Sequence, residues 1–224
     1  WRVLEARIGP ARAYRPAKKL PDLAKAAGEA ARQQAAWAVG SSLFWRGRFS
    51  DAREWLPDSA EGQTCLGWAL ALRGEREAAL ALPRNAMLHF FLDDPPACLR
   101  WLATHPDSSK TAHAELLRYW AQTCLGEQPD ETAAQTALAT LRREAPCDEA
   151  RGLAIYAEAA FRRQPLYALP HLDHALDLFT RFGLHYLEAR LLDRKSQALA
   201  AAGLLDEARR FQRAAAQARR HQGL

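Results

Sequence analysis

The chain has 224 residues, of which 49% are hydrophobic and 25% charged, and its formal net charge is +5. That composition belongs to a folded globular chain and excludes a disordered tail, and the length suffices for one large domain or two ordinary ones. No apolar run approaches the roughly 20 residues that a membrane-spanning helix needs, and the mild, interspersed charge permits an acidic partner without pointing to one.

At the start, Trp1-Arg2-Val3-Leu4-Glu5-Ala6-Arg7 carries charges where a signal peptide has its apolar region, and the only methionine is Met87. These features set the expectation of a cytoplasmic piece of a longer polypeptide. Residues 1–20 are basic, lack a sustained period and are punctuated by Pro10 and Pro16, so they read as a linker or the tail of a preceding module. Helical periodicity begins at Pro21-Asp22-Leu23, where proline and an acid suit a first turn, and continues through an Ala/Gln-rich run to Trp45. A short helix is predicted over 50–56, with Ser50 and Asp51 as capping candidates and Pro57 as its stop. Helices follow over 61–73 and 75–82, then over 85–92 and 95–103 as a compressed pair. Asp107-Ser108-Ser109 reads as the cap of a helix running to Leu125, which Gly126 closes. Pro129-Asp130 opens a helix to about 143, and Pro146-Cys147-Asp148 one to 163. Pro165 begins another, kinked by Pro170 and ended after Phe182 by Gly183. Helices over 185–202 and 205–221 bring the total to about twelve, and no segment alternates with period two for long enough to argue a strand. The expected fold class is all-α.

A spacing of small residues recurs through this background. Gly40, Gly47 and Ala52 stand seven and then five apart, as do Gly67, Gly74 and Ala79, and again Ser196, Gly203 and Ala208. Two antiparallel helices in contact need this pattern. A small residue in the first helix admits the second, a glycine at its end permits a left-handed turn, and an alanine in the second faces back. Pairs of this kind cannot bury their own apolar stripes, so they stack into an α-solenoid with one concave face. The repeat is uneven, about 27 residues early and about 39 late, which predicts an irregular groove.

The arrangement Val39-Gly40…Gly47-Arg48-Phe49…Ala52…Leu56 resembles the tetratricopeptide repeat. Leu66-Gly67…Gly74…Ala79 and Ser196…Gly203-Leu204-Leu205-Asp206-Glu207-Ala208 are similar. Two copies depart from the pattern: Tyr119…Gly126 lacks the small residue and carries about two extra residues before Ala133, and Ala157…Gln164 lacks the turn glycine. The resemblance covers roughly residues 30–221 and implies a right-handed superhelix within an irregular repeat domain spanning 21–224. A narrower likeness lies in Ala175-Leu176-Asp177-Leu178-Phe179-Thr180-Arg181-Phe182-Gly183, in Glu188-Ala189-Arg190, in Gly203 to Arg209 and in Ser42 to Phe49. These stretches look like the repeat region of large bacterial regulators, where such arrays sit beside an ATPase, DNA-binding or cyclase module. That likeness implies a non-catalytic array without a cofactor, the regulatory or sensing part of a bacterial signalling protein or transcriptional regulator. Its partner would be a protein or peptide segment, or a small effector, held in the groove. Neither a GxxxxGK[ST] phosphate loop nor a helix-turn-helix is present in the chain.

In the repeat register, the inner face of the first helix in each pair carries Trp37, Ser41, Phe44 and Trp45 in the first copy and Thr64 and Trp68 in the second. Leu116 and Trp120 follow in the third copy, and Glu158, Phe161 and Arg162 in the fourth. Aromatics along a concave surface would anchor an apolar segment of a partner, whereas tryptophans filling gaps between uneven repeats would be core. His171 and His174 share a helix face with Asp177, but two imidazoles do not close a metal site, and a solvated face is the plainer reading. The Trp101…His105 pair has no nucleophile or base beside it in sequence. Cys65, Cys98, Cys124 and Cys147 stand far apart without a CxxC or zinc-finger spacing and read as reduced, buried thiols. The last helix places Asp206 and Glu207 first and Arg209, Arg210, Arg213, Arg219, Arg220 and His221 after them, which suits the helix dipole and a polar terminal cap. Two alternatives remain at this level. One is a helical enzyme using Glu158 and the His171/His174 face, which lacks a paired constellation. The other is a scaffold for self-association or for nucleic-acid contact through the basic terminal stretches, a contact for which this mildly basic chain is poorly suited.

Overall fold

A computed structural model describes residues 9–25 and 27–224, and every regular element among them is helical. In order these are α1 (Pro10–Ala17), α2 (Leu20–Ala24), α3 (Glu29–Trp45), α4 (Phe49–Trp55), α5 (Ala60–Leu72), α6 (Arg76–Leu80) and α7 (Ala86–Phe91). Then come α8 (Pro95–Thr104), a 3₁₀ turn (Ser108–Lys110), α9 (Ala112–Cys124), α10 (Glu131–Glu144), α11 (Pro146–Arg163), α12 (Pro165–Phe182), α13 (Glu188–Ala201) and α14 (Leu205–Gln222).

Local chemistry explains most of these boundaries. Ser59, Asn85, Asp94 and Asp130 each cap a helix by accepting a hydrogen bond from the backbone N–H three residues on, satisfying a donor that the first turn leaves orphaned. Thr111 caps α9 in the same way, and Asp107, expected in that role, instead precedes the 3₁₀ turn. Neither Ser50 nor Asp51 caps α4, which starts at Phe49 without a side-chain cap. Asp51 pairs with Arg48 instead. The helix expected from Pro21 to Trp45 is two helices, α2 and α3, because Gly28 adopts φ 88° ahead of Glu29, a backbone turn that no helix continues through. At Pro170 the outcome is milder than a break, since α12 runs through it as one helix.

The stretch of 1–20 that reads as a linker is folded where it is described. Proline at the first position of α1 suits a helix start, and Ala13 and Ala17 are fully buried. The Ser42 hydroxyl donates to the Pro10 carbonyl at 3.0 Å, so α1 is tied to α3, and it also touches α12. Residues 1–8 lie outside the described residues.

The recurring small residues do what close helix contact requires, though unequally. Gly47, Gly74 and Gly203 have φ of 73°, 80° and 78°, the left-handed turn expected of them. A methyl group on Gly40 would sit 2.9 Å from Leu56 Cδ2 and 3.1 Å from the Leu56 backbone nitrogen, whereas one on Gly67 would meet nothing closer than 3.6 Å. Ser196 donates to the Ala208 carbonyl at 2.8 Å and so links α13 to α14. Helix propensity alone favours alanine over glycine by about 1 kcal/mol, while overpacking costs about 1–3 kcal/mol. Gly40→Ala should therefore lower the urea midpoint and Gly67→Ala should raise it. Equal shifts of one sign would refute the difference in helix approach.

Successive helices pack together as α3 on α4, α5 on α6, α7 on α8, α9 on α10, α11 on α12 and α13 on α14. Alternate helices also touch in a continuous series, α3 to α5, α5 to α7, α7 to α9, α9 to α11 and α11 to α13. One contact spans nearly the whole chain. The Trp45 carbonyl at the end of α3 accepts hydrogen bonds from the His185 N–H at 2.8 Å and the Tyr186 N–H at 3.3 Å, and Gln222 of α14 donates to the His185 carbonyl beside Gly47. The segment between α12 and α13 is thereby laid onto the first helices.

Candidate binding site

The inner-face aromatics form one connected series. Phe44 packs on Trp45 and Trp68 with ring centroids 4.8 and 5.9 Å away, Trp68 meets Phe91 edge-on at 6.0 Å, Phe91 meets Phe90 at 5.6 Å, and Phe90 meets Trp120 edge-on at 5.0 Å. Tyr186 lies among them, in contact with Phe44, Trp45, Phe91 and Phe179. Its hydroxyl is buried, and that burial pushes its pKa well above the usual tyrosine range.

Much of the surface expected to meet a partner is therefore inside the protein. Phe44 and Trp120 have no exposed surface, Leu116 has none, and Ser41 is 1% exposed with its hydroxyl turned to the Ala38 carbonyl. Glu158 is also fully buried. Its carboxylate accepts from Arg190 at 2.8 and 3.2 Å and from Arg194 at 3.1 and 3.4 Å. Phe161 is half-buried beneath the Arg194 guanidinium, and Arg162 reaches Asp93 at 2.7 Å. Together these side chains join α11 and α13 to the turn after α7. Of these, Asp93, Arg190 and Arg194 also border a cavity of about 300 Å³, to which Asp193 and Arg219 add one charge of each sign.

Among the described residues, the end of the series nearest the N-terminus borders a cavity. Trp37, Trp45 and Trp68 are half-buried, and with Ala60, Glu61, Thr64 and Cys65 they line a cavity of about 430 Å³. Helices α3 and α5 supply this wall. Two of the indoles have fixed partners. Trp68 donates its N–H to Asn85 Oδ1 at 3.1 Å, the same oxygen that caps α7, so one side chain fixes both a helix start and a ring. Trp45 is packed edge-on by Phe44 and Tyr186, and the Arg151 guanidinium lies 3.9 Å from its ring centroid. Of the side chains that matter here, Tyr186, Arg151 and Asn85 carry no sequence signal for this role. Only the tertiary contacts bring them to the tryptophans.

The remaining candidates resolve into structural roles. His171 packs against Tyr156 and Tyr167, whereas Glu158 is engaged by arginines, so the acid and imidazole of the enzyme alternative belong to different clusters. Trp101 stacks on His105 at 4.2 Å, and the imidazole Nδ1 lies 2.9 Å from the Trp101 carbonyl. Among the described residues no group of three or more His, Cys, Asp or Glu is placed to hold a metal ion. Cys65, Cys98 and Cys147 are buried and Cys124 half-buried, all as thiols, and burial pushes Cys98 up to about 12 and Cys124 up to about 11. Among the same residues no helix is long and apolar enough to cross a membrane.

A polar cluster without a sequence signature of its own joins three helices. Glu131 of α10 accepts from the hydroxyls of Tyr119 on α9 and Tyr156 on α11, and Arg163 pairs with the same carboxylate. Burial raises the Glu131 pKa, but the two hydroxyls and the Arg163 charge outweigh it and hold the group below its ordinary value of 4.5. Burial also lowers His89 and His113 below the ordinary 6.5. Each of these groups takes up protons more readily when unfolded, so each favours the fold at high pH and loses that contribution as pH falls. Stability should decline in two stages, first below pH 6.5 as the histidines charge in the unfolded chain, then below pH 4.5 with Glu131. Denaturation midpoints measured across the range from neutral to acid test this, with His113→Gln expected to flatten the first stage and Glu131→Gln the second.

No family model, curated protein or solved structure matches the chain.

Proposed function

We propose that the chain is an irregular tetratricopeptide-like solenoid of antiparallel helix pairs that acts as a non-catalytic binding module. It would be the regulatory or sensing part of a larger bacterial signalling protein or transcriptional regulator. The contact series of pairs and alternate helices supports the solenoid, as do the left-handed glycines at corresponding turns. The observation that carries the binding role is the half-buried triad Trp37, Trp45 and Trp68 around a cavity of about 430 Å³, a size suited to a small ligand or a single anchoring side chain. An extended peptide running the length of the inner face is disfavoured, because Tyr186 and the Glu158 cluster fill that face farther along.

Hydrogen exchange tests the reading. Adding fractions of a bacterial metabolite and peptide extract should increase protection over 37–45 and 60–68 for at least one fraction, and Trp68→Ala should abolish the increase. If every fraction leaves exchange in α3 and α5 unchanged, the cavity is not a binding site.

A further inference from the structure

We infer that the cavity of about 300 Å³ walled by α13, the end of α14 and the turn after α7 binds a small organic monocarboxylate with a short apolar body. It shares no lining residue with the tryptophan cavity and is a second site. Arg190, Arg194 and Arg219 line it, and Arg162 reaches its Asp93 at 2.7 Å. The carboxylates that pair with these four guanidinium groups are Asp93, Glu158 and Asp193, and Glu158 is shared by Arg190 and Arg194. Among the described residues no other carboxylate pairs with them, so four positive charges face three negative ones. One positive charge is left in excess beside the cavity.

Donors are in excess as well. Arg190 directs its three nitrogens to Glu158 and the Phe90 carbonyl. Arg194 donates from Nε to Glu158 and from Nη1 to Gln197, and Arg219 donates from Nη2 to Asp193. Among the described residues neither Arg194 Nη2 nor Arg219 Nη1 has a hydrogen-bond partner, and neither is sealed from solvent. A guanidinium edge fits a carboxylate, and a bond between the two charged groups is stronger than one to a neutral acceptor. A single excess charge suits a monoanion, because Asp93 and Asp193 in the same wall oppose a second negative charge. The body of the ligand follows from the rest of the lining, where Leu72, Phe91 and Ala189 offer apolar surface. Both arginines are placed before any ligand arrives, Arg194 by Glu158 and the Phe161 ring and Arg219 by Asp193, so little side-chain entropy remains to be lost.

The test compares charge at nearly constant shape. The full chain is titrated calorimetrically, at fixed ionic strength, with benzoate, with benzamide as its uncharged counterpart, and with inorganic phosphate. Benzoate should bind at least about ten-fold more tightly than benzamide, a difference of about 1.4 kcal/mol, and more tightly than phosphate. Arg219→Gln should weaken benzoate about ten-fold or more. The Arg219 side chain is 43% exposed, so this variant should fold, which its urea midpoint checks. Arg220→Gln, on the same helix but outside the cavity, should leave benzoate binding unchanged. Asp193→Asn should tighten it, because one opposing charge is removed. If benzamide binds as well as benzoate, selection for an anion is overturned. Tighter binding of phosphate would overturn the monocarboxylate, and equal losses in the Arg219 and Arg220 variants would overturn the location. Weaker benzoate binding in Asp193→Asn would overturn the argument from excess charge. If none of the three compounds binds, the inference fails, and the reading of the tryptophan cavity is decided separately by the exchange experiment above.

Discussion

Glu158→Leu should destabilise the chain by about 3–5 kcal/mol, the range expected when one partner is removed from a buried ion pair. Glu158 is fully buried on α11 and receives two arginines from α13, whose side chains are themselves only 19% exposed. Without the carboxylate, two guanidinium groups stay in place with less solvent and less counter-charge than they need. Arg190 would keep the Asp93 carboxylate at 3.6 Å, the Phe90 carbonyl at 3.3 Å and the Phe90 ring, whereas Arg194 would keep the Gln197 side chain and the Phe161 ring, neither of which carries a formal charge. Adding Arg190→Met to Glu158→Leu should recover part of the loss, because the double variant removes one stranded charge together with its partner. A loss below about 1 kcal/mol for Glu158→Leu would show that solvent reaches the cluster. The same measurement bears on function. A strut between helices gives a stability defect with ligand binding retained in the folded fraction, whereas a catalytic acid would give loss of turnover at unchanged stability.

The second large effect separates core from site within one aromatic series. Trp120→Ala should destabilise by about 3–5 kcal/mol, the range for truncating a buried aromatic, because the ring is fully enclosed against Phe90 and the surrounding helices. The Trp120 indole N–H is buried without a hydrogen-bond partner, so Trp120→Phe, which removes that donor and keeps an aromatic ring, should cost much less than alanine. Trp68→Ala should behave in the opposite way. Its ring is half-buried and borders the cavity, so the stability loss is smaller, and that cavity loses a wall. Urea denaturation and ligand titration of the two alanine variants, side by side, check the division. Equal stability losses, or binding lost in both folded variants, would contradict it.

Local features of the fold are legible in the amino-acid sequence. An all-helical chain follows from the 3.6-residue periodicity and the absence of alternation, and most helix starts follow from prolines and capping side chains that satisfy the same orphaned donors in any context. The left-handed turns at Gly47, Gly74 and Gly203 are legible for the same reason, since only the backbone of a residue and its neighbours decides them. Sequence and structure part where one residue tips a local balance, as when Gly28 divides a long helical run into α2 and α3, and where Thr111 rather than Asp107 takes the cap.

Which side of the aromatic stripe faces water is not legible in this way, and neither is the candidate site. The repeat register puts Phe44, Trp45, Trp68 and Trp120 on one expected inner face, but exposure depends on what else is laid against them. Here it is Tyr186, carried in by backbone bonds from residues 185 and 186 to the Trp45 carbonyl. The burial of Glu158 likewise depends on arginines of α13, and the folding of α1, which composition reads as linker, depends on surface offered by α3 and α12. Those partners lie far away along the chain. A sequence therefore specifies helices, turns and the stripe each helix must cover, because short-range sterics and hydrogen bonds determine them. Only the tertiary structure decided that, among the described residues, the series closes into core at Trp120 and borders a cavity at Trp37, Trp45 and Trp68.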